Sequence, residues 1–376
     1  MALTSSYLLA CLHLPAANLY AVSTSTPENA VLLLNDETRR IQKSLQHPNV
    51  ITRLRLARNF LGGQERLLTS CKDGSVRVWD IQSGDCIRTF STSPRRAILS
   101  FDISQDKSTI AAGTELAQQE AHIIFFSTDP ESTDAHPGWV HTSTHSDDVT
   151  CLNFLGSSSQ ILSASTDGCL CISDASVKDE EEAVLSTSNW GCSIAQAGVI
   201  DDELIWAGSD METFSVWSIE LDKIADINIK SDPENPSIPS SAKSDYLVTV
   251  SSQPRGLIVG SYEGQISLLS LPKNSSSPLK LLHAPTSPLT GPPHATETVV
   301  RCALLVPEKD RVVTGAEDGM ICVWPWPQEL QKLKTKSAKR SKPSEPVEEV
   351  AEDRMDVDEE QEKPVKVKKR KKSKAE

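Results

Sequence analysis

His145 stands beside Asp147 and Asp148 in a stretch that also holds several serines. Histidine, carboxylate and hydroxyl are the three parts of a nucleophilic triad, in which the base takes the hydroxyl proton and the acid orients the base. Such chemistry needs the nucleophile presented on a strained, exposed turn, and no GxSxG elbow or comparable motif accompanies these residues. The expectation is a chain with no catalytic residues. Asp147 and Asp148 are read instead as a polar loop or as part of an acidic surface on which a partner could dock.

Metal chemistry finds no better footing. The nine cysteines include no CxxC and no Cys/His pair at zinc spacing, and Cys169 and Cys171 are two residues apart. On a strand that spacing puts both on one face, where two thiolates alone do not complete a metal site. Reduced, buried thiols are expected, with no metal and no cofactor.

A third chemistry lies at the C-terminal end. Lys366, Lys368, Lys369, Arg370, Lys371 and Lys372 form a basic cluster of the kind importins read as a nuclear localisation signal, with Lys339-Arg340 upstream. A tail contacting nucleic acid through phosphates is the alternative, although no aromatic interleaves the lysines to stack on bases. Residues 327–376 hold 15 Lys/Arg and 12 Asp/Glu in separate blocks, leaving 23 and 39 for residues 1–326. The main domain is therefore acidic and poorly suited to binding a phosphate backbone. The tail has almost no large apolar residues and should be disordered.

The elements that carry these residues follow from a repeat. In Lys72–Asp80, Asp73-Gly74 suits a two-residue hairpin turn, and Ser75 to Trp79 alternates with period two, as a strand does. The pattern, an acid followed six positions later by a bulky apolar residue, recurs as Glu28 with Leu34, Glu120 with Phe126, Glu263 with Leu269 and Asp318 with Trp324. Asp167 leads to Ser173 at the same spacing, and Asp210 stands seven before Trp217. The acids are separated by 45, 47, 47, 43, 53 and 55 residues. Units of this length with four short strands each are the mark of a β-propeller, and seven markers imply seven blades over residues 1–326.

Blade 7 lacks a convincing fourth strand. The N-terminal Ala2–Ser6, or the segment after Trp326, is expected to complete it; Pro325 and Pro327 favour the N-terminus. Glu180-Glu181-Glu182 reads as a solvated turn. No apolar run approaches the ~20 residues of a membrane span.

These units resemble the WD-repeat β-propeller family. Blade 2 offers His47, Asp73-Gly74 and Trp79-Asp80; blade 4 offers His145, Asp167-Gly168 and Asp174; blade 7 offers His294, Asp318-Gly319 and Trp324. The His-to-Asp separations are 26, 22 and 24 residues. More narrowly, Thr144–Thr150 with Ser165–Gly168 is similar to the WD repeat-containing protein 89 group. The resemblance implies that the turn Asp binds the His and that the Trp closes a buried, structural network. Blade 4 has Ser173 where that Trp belongs. Some members are substrate receptors of cullin–RING ubiquitin ligases and carry an Arg two residues after Trp-Asp; Gln82 stands there.

The reading is thus an all-β, seven-bladed propeller acting as a non-catalytic, monomeric scaffold for other proteins. Its place is a nuclear or nucleolar assembly for chromatin or ribosomes, with the cytoplasm as alternative. A ubiquitin-ligase receptor and an RNA-associated assembly factor are the competing functions.

Overall fold

The computed structural model describes residues 3–325 apart from 130–136, 157–158, 232–233, 235–236, 253–254 and 290. The proposed tail, including its basic cluster, lies outside the described residues.

Seven antiparallel sheets follow one another along the chain. Blade 1 is built from Leu8–Leu14, Leu19–Thr24, Ala30–Asn35 and Ile41–Gln46. Blade 2 uses Ile51–Phe60, Gly63–Cys71, Ser75–Asp80 and Cys86–Ser91, and blade 3 Ile98–Ile103, Thr109–Thr114, Ile123–Ser127 and Pro137–His141. Blade 4 has Val149–Phe154, Gln160–Ser165, Cys169–Asp174 and Val184–Asn189; blade 5 has Ile194–Val199, Leu204–Ser209, Thr213–Ser218 and Lys223–Asn228. Blade 6 comprises Tyr246–Ser252, Arg255–Gly260, Ile266–Ser270 and Leu281–His283, and blade 7 Val300–Val306, Arg311–Ala316 and Ile321–Pro325. Strands are called a to d within each blade, from the inside out.

The spacing rule has a register behind it. Leu34, Trp79, Phe126, Ser173, Trp217, Leu269 and Trp324 all sit on strand c, opposite Tyr20, Leu67, Ile110, Ile161, Ile205, Leu257 and Val312 of strand b. All but Ser173 put a bulky side chain into the seam with the preceding blade. Trp79 packs with Leu19 and Leu33 of blade 1, Trp217 with Leu162 and Leu170 of blade 4, and Trp324 with Val248 and Ile258 of blade 6. Each neighbouring pair of blades shares one such apolar cluster, and Leu8, Tyr20 and Leu34 meet Val306, Val313 and Val323 to join blade 1 to blade 7. The continuous apolar runs of the strands follow from this, since both faces of a blade are covered. The b–c turn of blade 2 requires glycine twice over: Gly74 has φ +83°, and a Cβ there would lie 2.9 Å from the Arg96 carbonyl oxygen.

Two local differences from the sequence reading have physical causes. The a–b hairpin of blade 2 runs on to Phe60 and Gly63, longer than the short strands the repeat implies. Its turn, Leu61-Gly62, has φ of +47° and +72°; Phe60 is buried in the seam with blade 3, but the exposed Arg58 and Asn59 before it interrupt the strand pattern in the sequence. Glu180 is not a solvated turn residue. It opens one helical turn, Glu180–Ala183, and its carboxylate accepts the amides of Thr142 and Ser143 at 2.8 Å and Thr144 at 2.6 Å. Burial works against its charge, but these bonds hold the carboxyl below its usual value.

The expected closure of blade 7 falls partly outside the described residues, since Ala2 and the segment after Trp326 are not among them. Among the described residues blade 7 has three strands. The N-terminal segment reaches it with one bond, from the Leu3 amide to the Gly319 carbonyl at 2.8 Å. Thr92 to Gly74 and Trp190 to Gly168 are the same bond in blades 2 and 4, made there by the residue just past strand d. A second rung comes from the d–a loop of blade 6, where the Leu289 amide donates to the Val323 carbonyl at 2.7 Å. Backbone groups alternate in direction along a strand. Ile321, midway between Gly319 and Val323, therefore turns its N–H and C=O outward with no partner among the described residues.

Charge reinforces the seam. Lys309 of blade 7 pairs with Asp36, which is fully buried in blade 1, and with Glu37 at 3.3 Å; Arg311 reaches Glu37 at 2.9 Å. His13 bridges Glu308 at 2.9 Å and Asp36 at 3.4 Å. Burial disfavours the Asp36 carboxylate, yet Lys309 and His13 keep its pKa below the normal value.

Candidate functional site

The chemistry-bearing residues converge in blades 2, 4 and 7, between the d–a loop and the b–c turn. In blade 7, His294 Nδ1 lies 3.1 Å from Asp318 Oδ2 and His294 Nε2 lies 2.8 Å from Thr314 Oγ1. The Trp324 indole N–H donates to the same hydroxyl oxygen at 2.8 Å. Asp318 also accepts the amides of Ala295 and Met320, at 3.1 and 2.9 Å. The polar groups dictate the tautomer: Nδ1 carries the proton toward the carboxylate, and Thr314 donates to Nε2 while accepting from the indole. Burial lowers the pKa of His294, favouring this neutral form.

Blade 4 repeats the arrangement without the tryptophan. His145 Nδ1 is 3.2 Å from Asp167 Oδ2, and Nε2 is 2.8 Å from Ser163 Oγ. Asp167 accepts the amides of Ser146 and Cys169 at 2.9 and 2.8 Å. Although burial opposes its ionisation, these bonds and the His145 contact hold the carboxyl at about 2. Ser173, buried in the Trp position, meets Cys171 Sγ at 3.5 Å instead.

Blade 2 departs from the expected pairing. His47 Nε2 lies 2.8 Å from Thr69 Oγ1, which accepts the Trp79 indole N–H at 3.0 Å. His47 Nδ1, however, lies 3.0 Å from the Leu45 carbonyl oxygen and not against Asp73. Asp73 binds the Arg77 guanidinium and the Ser75 hydroxyl, the latter at 2.6 Å. Arg77 is the reason: four residues on, it brings a permanent charge and a two-pronged fork that a neutral imidazole cannot match. Burial pushes His47 down to about 4; Asp73, despite its own burial, is held at about 2 by Arg77 and Ser75.

Sequence reasoning named the histidines, acids and tryptophans but missed the central hydroxyls. Their signal was present, since Thr69, Ser163 and Thr314 each stand four residues before Asp73, Asp167 and Asp318.

Ser163, His145 and Asp167 thus have the hydrogen-bond connectivity of a triad, but with a different nucleophile and acid from those first considered. Ser163 is 1% exposed, and the cavities of about 370 and 230 Å³ lined by described residues reach neither it nor Thr69 nor Thr314. This buried hydroxyl joins strand b to the loop above it. The networks hold blade geometry.

The family model for the WD domain, G-beta repeat, matches residues 40–80, 139–174 and 286–325, the blades that contain the three networks. Three WD repeats are thus present in the chain, carried on a seven-bladed propeller. The chain is similar to an uncharacterised WD repeat-containing protein of Saccharomyces cerevisiae, with 29% identity over 55% of this chain and 52% of that protein. It thus spans about half the length of that relative. The WD repeat-containing protein GTS1 of Arabidopsis thaliana is 24% identical over 82% of this chain and 79% of its own. The WD repeat-containing protein 89 homolog of Dictyostelium discoideum is 22% identical over 43% and 42%. A WD-repeat propeller fits a protein-interaction scaffold.

The remaining expected sites are surface features. Both carboxylates are half-buried: Asp148 accepts the Leu116 amide at 2.7 Å and ties the loops of blades 3 and 4, whereas Asp147 accepts the Asp148 amide at 2.8 Å within its own loop. Gln82 is exposed just after strand c of blade 2. Lys366, Lys368, Lys369, Arg370, Lys371 and Lys372 lie outside the described residues. No helix of the described residues is long and apolar enough to cross a membrane, and no group of three metal-binding side chains occurs among them.

Proposed function

We propose that the protein is a nuclear adaptor, a non-catalytic propeller that gathers other proteins into an assembly such as those that build chromatin or ribosomes. The observation that carries this reading is the segregation of charge. The propeller sequence is acidic, whereas Lys366 to Lys372 concentrates six cations in seven residues at the far end of the chain. Such a cluster suits the acidic grooves of importins, and an acidic propeller favours basic partners. The sealed networks support the same reading, because they commit the histidines, hydroxyls and acids to the fold and leave recognition to rim and tail.

The test is a fluorescent fusion imaged with and without residues 363–376. Loss of nuclear accumulation on deletion is the expected result; unchanged accumulation would remove the localisation claim. Affinity purification with mass spectrometry of the full chain should return nuclear assembly proteins. Recovery of cullin machinery as the dominant partner would instead favour a ligase receptor, despite Gln82.

A further inference from the structure

The inner strands of the ring carry few charges, and their balance is unusual for so acidic a propeller. His13, Arg53, Arg55, Arg58, Asp102 and Arg301 are the ionisable Asp, Glu, Lys, Arg or His residues of the seven a strands. His13 is engaged at the blade 1–7 seam, Arg58 with Glu65 at 3.5 Å and Arg301 with Glu317 at 2.8 Å. That leaves Arg53, Arg55 and Asp102, two cations and one anion.

Both arginines line one cavity of about 230 Å³, walled also by Asn153, Gln196 and Thr249 of blades 4, 5 and 6. Arg55 is committed. Its Nε binds Asp102 at 3.2 Å and its Nη2 binds Asn153 Oδ1 at 3.3 Å, while Asn153 Nδ2 turns to the Ala197 carbonyl. Arg53 is not. It touches the far wall through Nη2 alone, at 3.2 Å from the Thr150 carbonyl oxygen and 3.4 Å from Cys151 Sγ. A guanidinium has five N–H donors, so those on Nε and Nη1 have no acceptor among the described residues. The side chains of Gln196 and Thr249 likewise have no partner among them.

We propose that this axial cavity binds a phosphate-class oxyanion, free or carried by a small phosphomonoester, with Arg53 as its principal ligand and Gln196 and Thr249 as further donors. A guanidinium fork matches an oxyanion in two-point geometry. Donors approaching from blades 2, 5 and 6 suit a tetrahedral group better than a planar carboxylate. The volume falls below the ~300–1,000 Å³ of ordinary ligand pockets, which selects a small ion over a nucleotide. The site is independent of the nuclear reading and of the tail.

The experiment is titration of the full-length protein with inorganic phosphate, at ionic strength held constant with chloride, reading the phosphorus-31 linewidth and Tm. Saturable broadening and a saturable rise in Tm are expected for the wild type. Arg53→Gln should lose both, and Arg53→Lys, which keeps the charge without the fork, should bind about tenfold more weakly. An unbroadened phosphate line with wild-type protein, or equal responses in wild type and Arg53→Gln, would overturn the proposal. Acetate displacing phosphate at equal concentration would make the site a carboxylate site and overturn it as well. This competition and the linewidth use wild-type protein, so they decide the matter even if Arg53→Gln does not fold. A parallel titration with glucose 6-phosphate separates the sources, since a phosphomonoester ligand requires it to bind as tightly as the free ion.

Discussion

The Trp324 indole N–H lies 2.8 Å from the Thr314 hydroxyl oxygen, which stands at the same distance from His294 Nε2. One oxygen therefore satisfies two buried rings. Replacing Thr314 by Val keeps the shape and orphans both partners, at a cost of about 1–3 kcal/mol each. Thr69→Val should behave alike in blade 2, whereas Ser163→Ala orphans His145 alone and should cost less. Urea unfolding midpoints of the three variants provide the ranking.

Asp73 and Asp167 occupy equivalent turns but do different work. Asp167→Ala removes the acceptor of His145 and of two amides, so it should destabilise the protein by about 2–4 kcal/mol. Asp73→Ala leaves the His47 bonds intact and frees Arg77, which is 15% exposed and can reach water. A loss below that of Asp167→Ala is expected, with little change in the His47 imidazole resonances by NMR.

Acid should weaken the fold in two stages. His47 has a folded pKa of about 4 against an ordinary 6.5, so below pH 6.5 the unfolded chain takes up a proton that the folded one refuses. Stability should fall by about 3 kcal/mol as pH drops from 6.5 to 4, and His47→Gln should flatten that slope. Asp73 and Asp167, held at about 2 against an ordinary 3.8, stabilise the fold above pH 3.8. Each contributes about 2 kcal/mol that disappears as pH falls from 3.8 to 2. Urea midpoints measured across this range would show both stages.

Lys309→Met should open the seam between blades 1 and 7. It leaves the fully buried Asp36 without its cation, and removing one partner of a buried pair costs about 3–5 kcal/mol. Deuterium exchange should accelerate first in Leu8–Leu14 and Arg311–Ala316 and only later in blades 3 to 5.

Much of this architecture was legible because the acid-to-apolar spacing reports a register, and the register repeats in every blade. Even Ser173, which breaks the residue pattern, keeps its place opposite Ile161. What escaped was decided by competition between neighbours. Nothing in Asp73 itself says that Arg77 will take it from His47, because two donors within reach of one carboxylate are separated only by geometry. Glu180 escaped for a related reason: an acidic run looks solvated until the amides of Thr142 to Thr144 are brought to it from a distant part of the chain. The hydroxyls of the networks were hidden differently, since Ser and Thr are common in strands and turns and only the four-residue offset to the acid sets these apart.

Blade 7 gives the ring a starting point for taking apart. Six blades must break a whole outer strand before a c strand is exposed, but among the described residues the strand Ile321–Pro325 is restrained on its outer side by Leu3 and Leu289 alone. Under a pulling force, or during the slow fluctuations that admit proteases, the clasp formed by two backbone bonds should yield first, at the Ile321 rung. The molecule would then unzip from one end as a linear array of blades, and its lifetime would be set by this seam more than by the strength of its hydrogen-bonded centres.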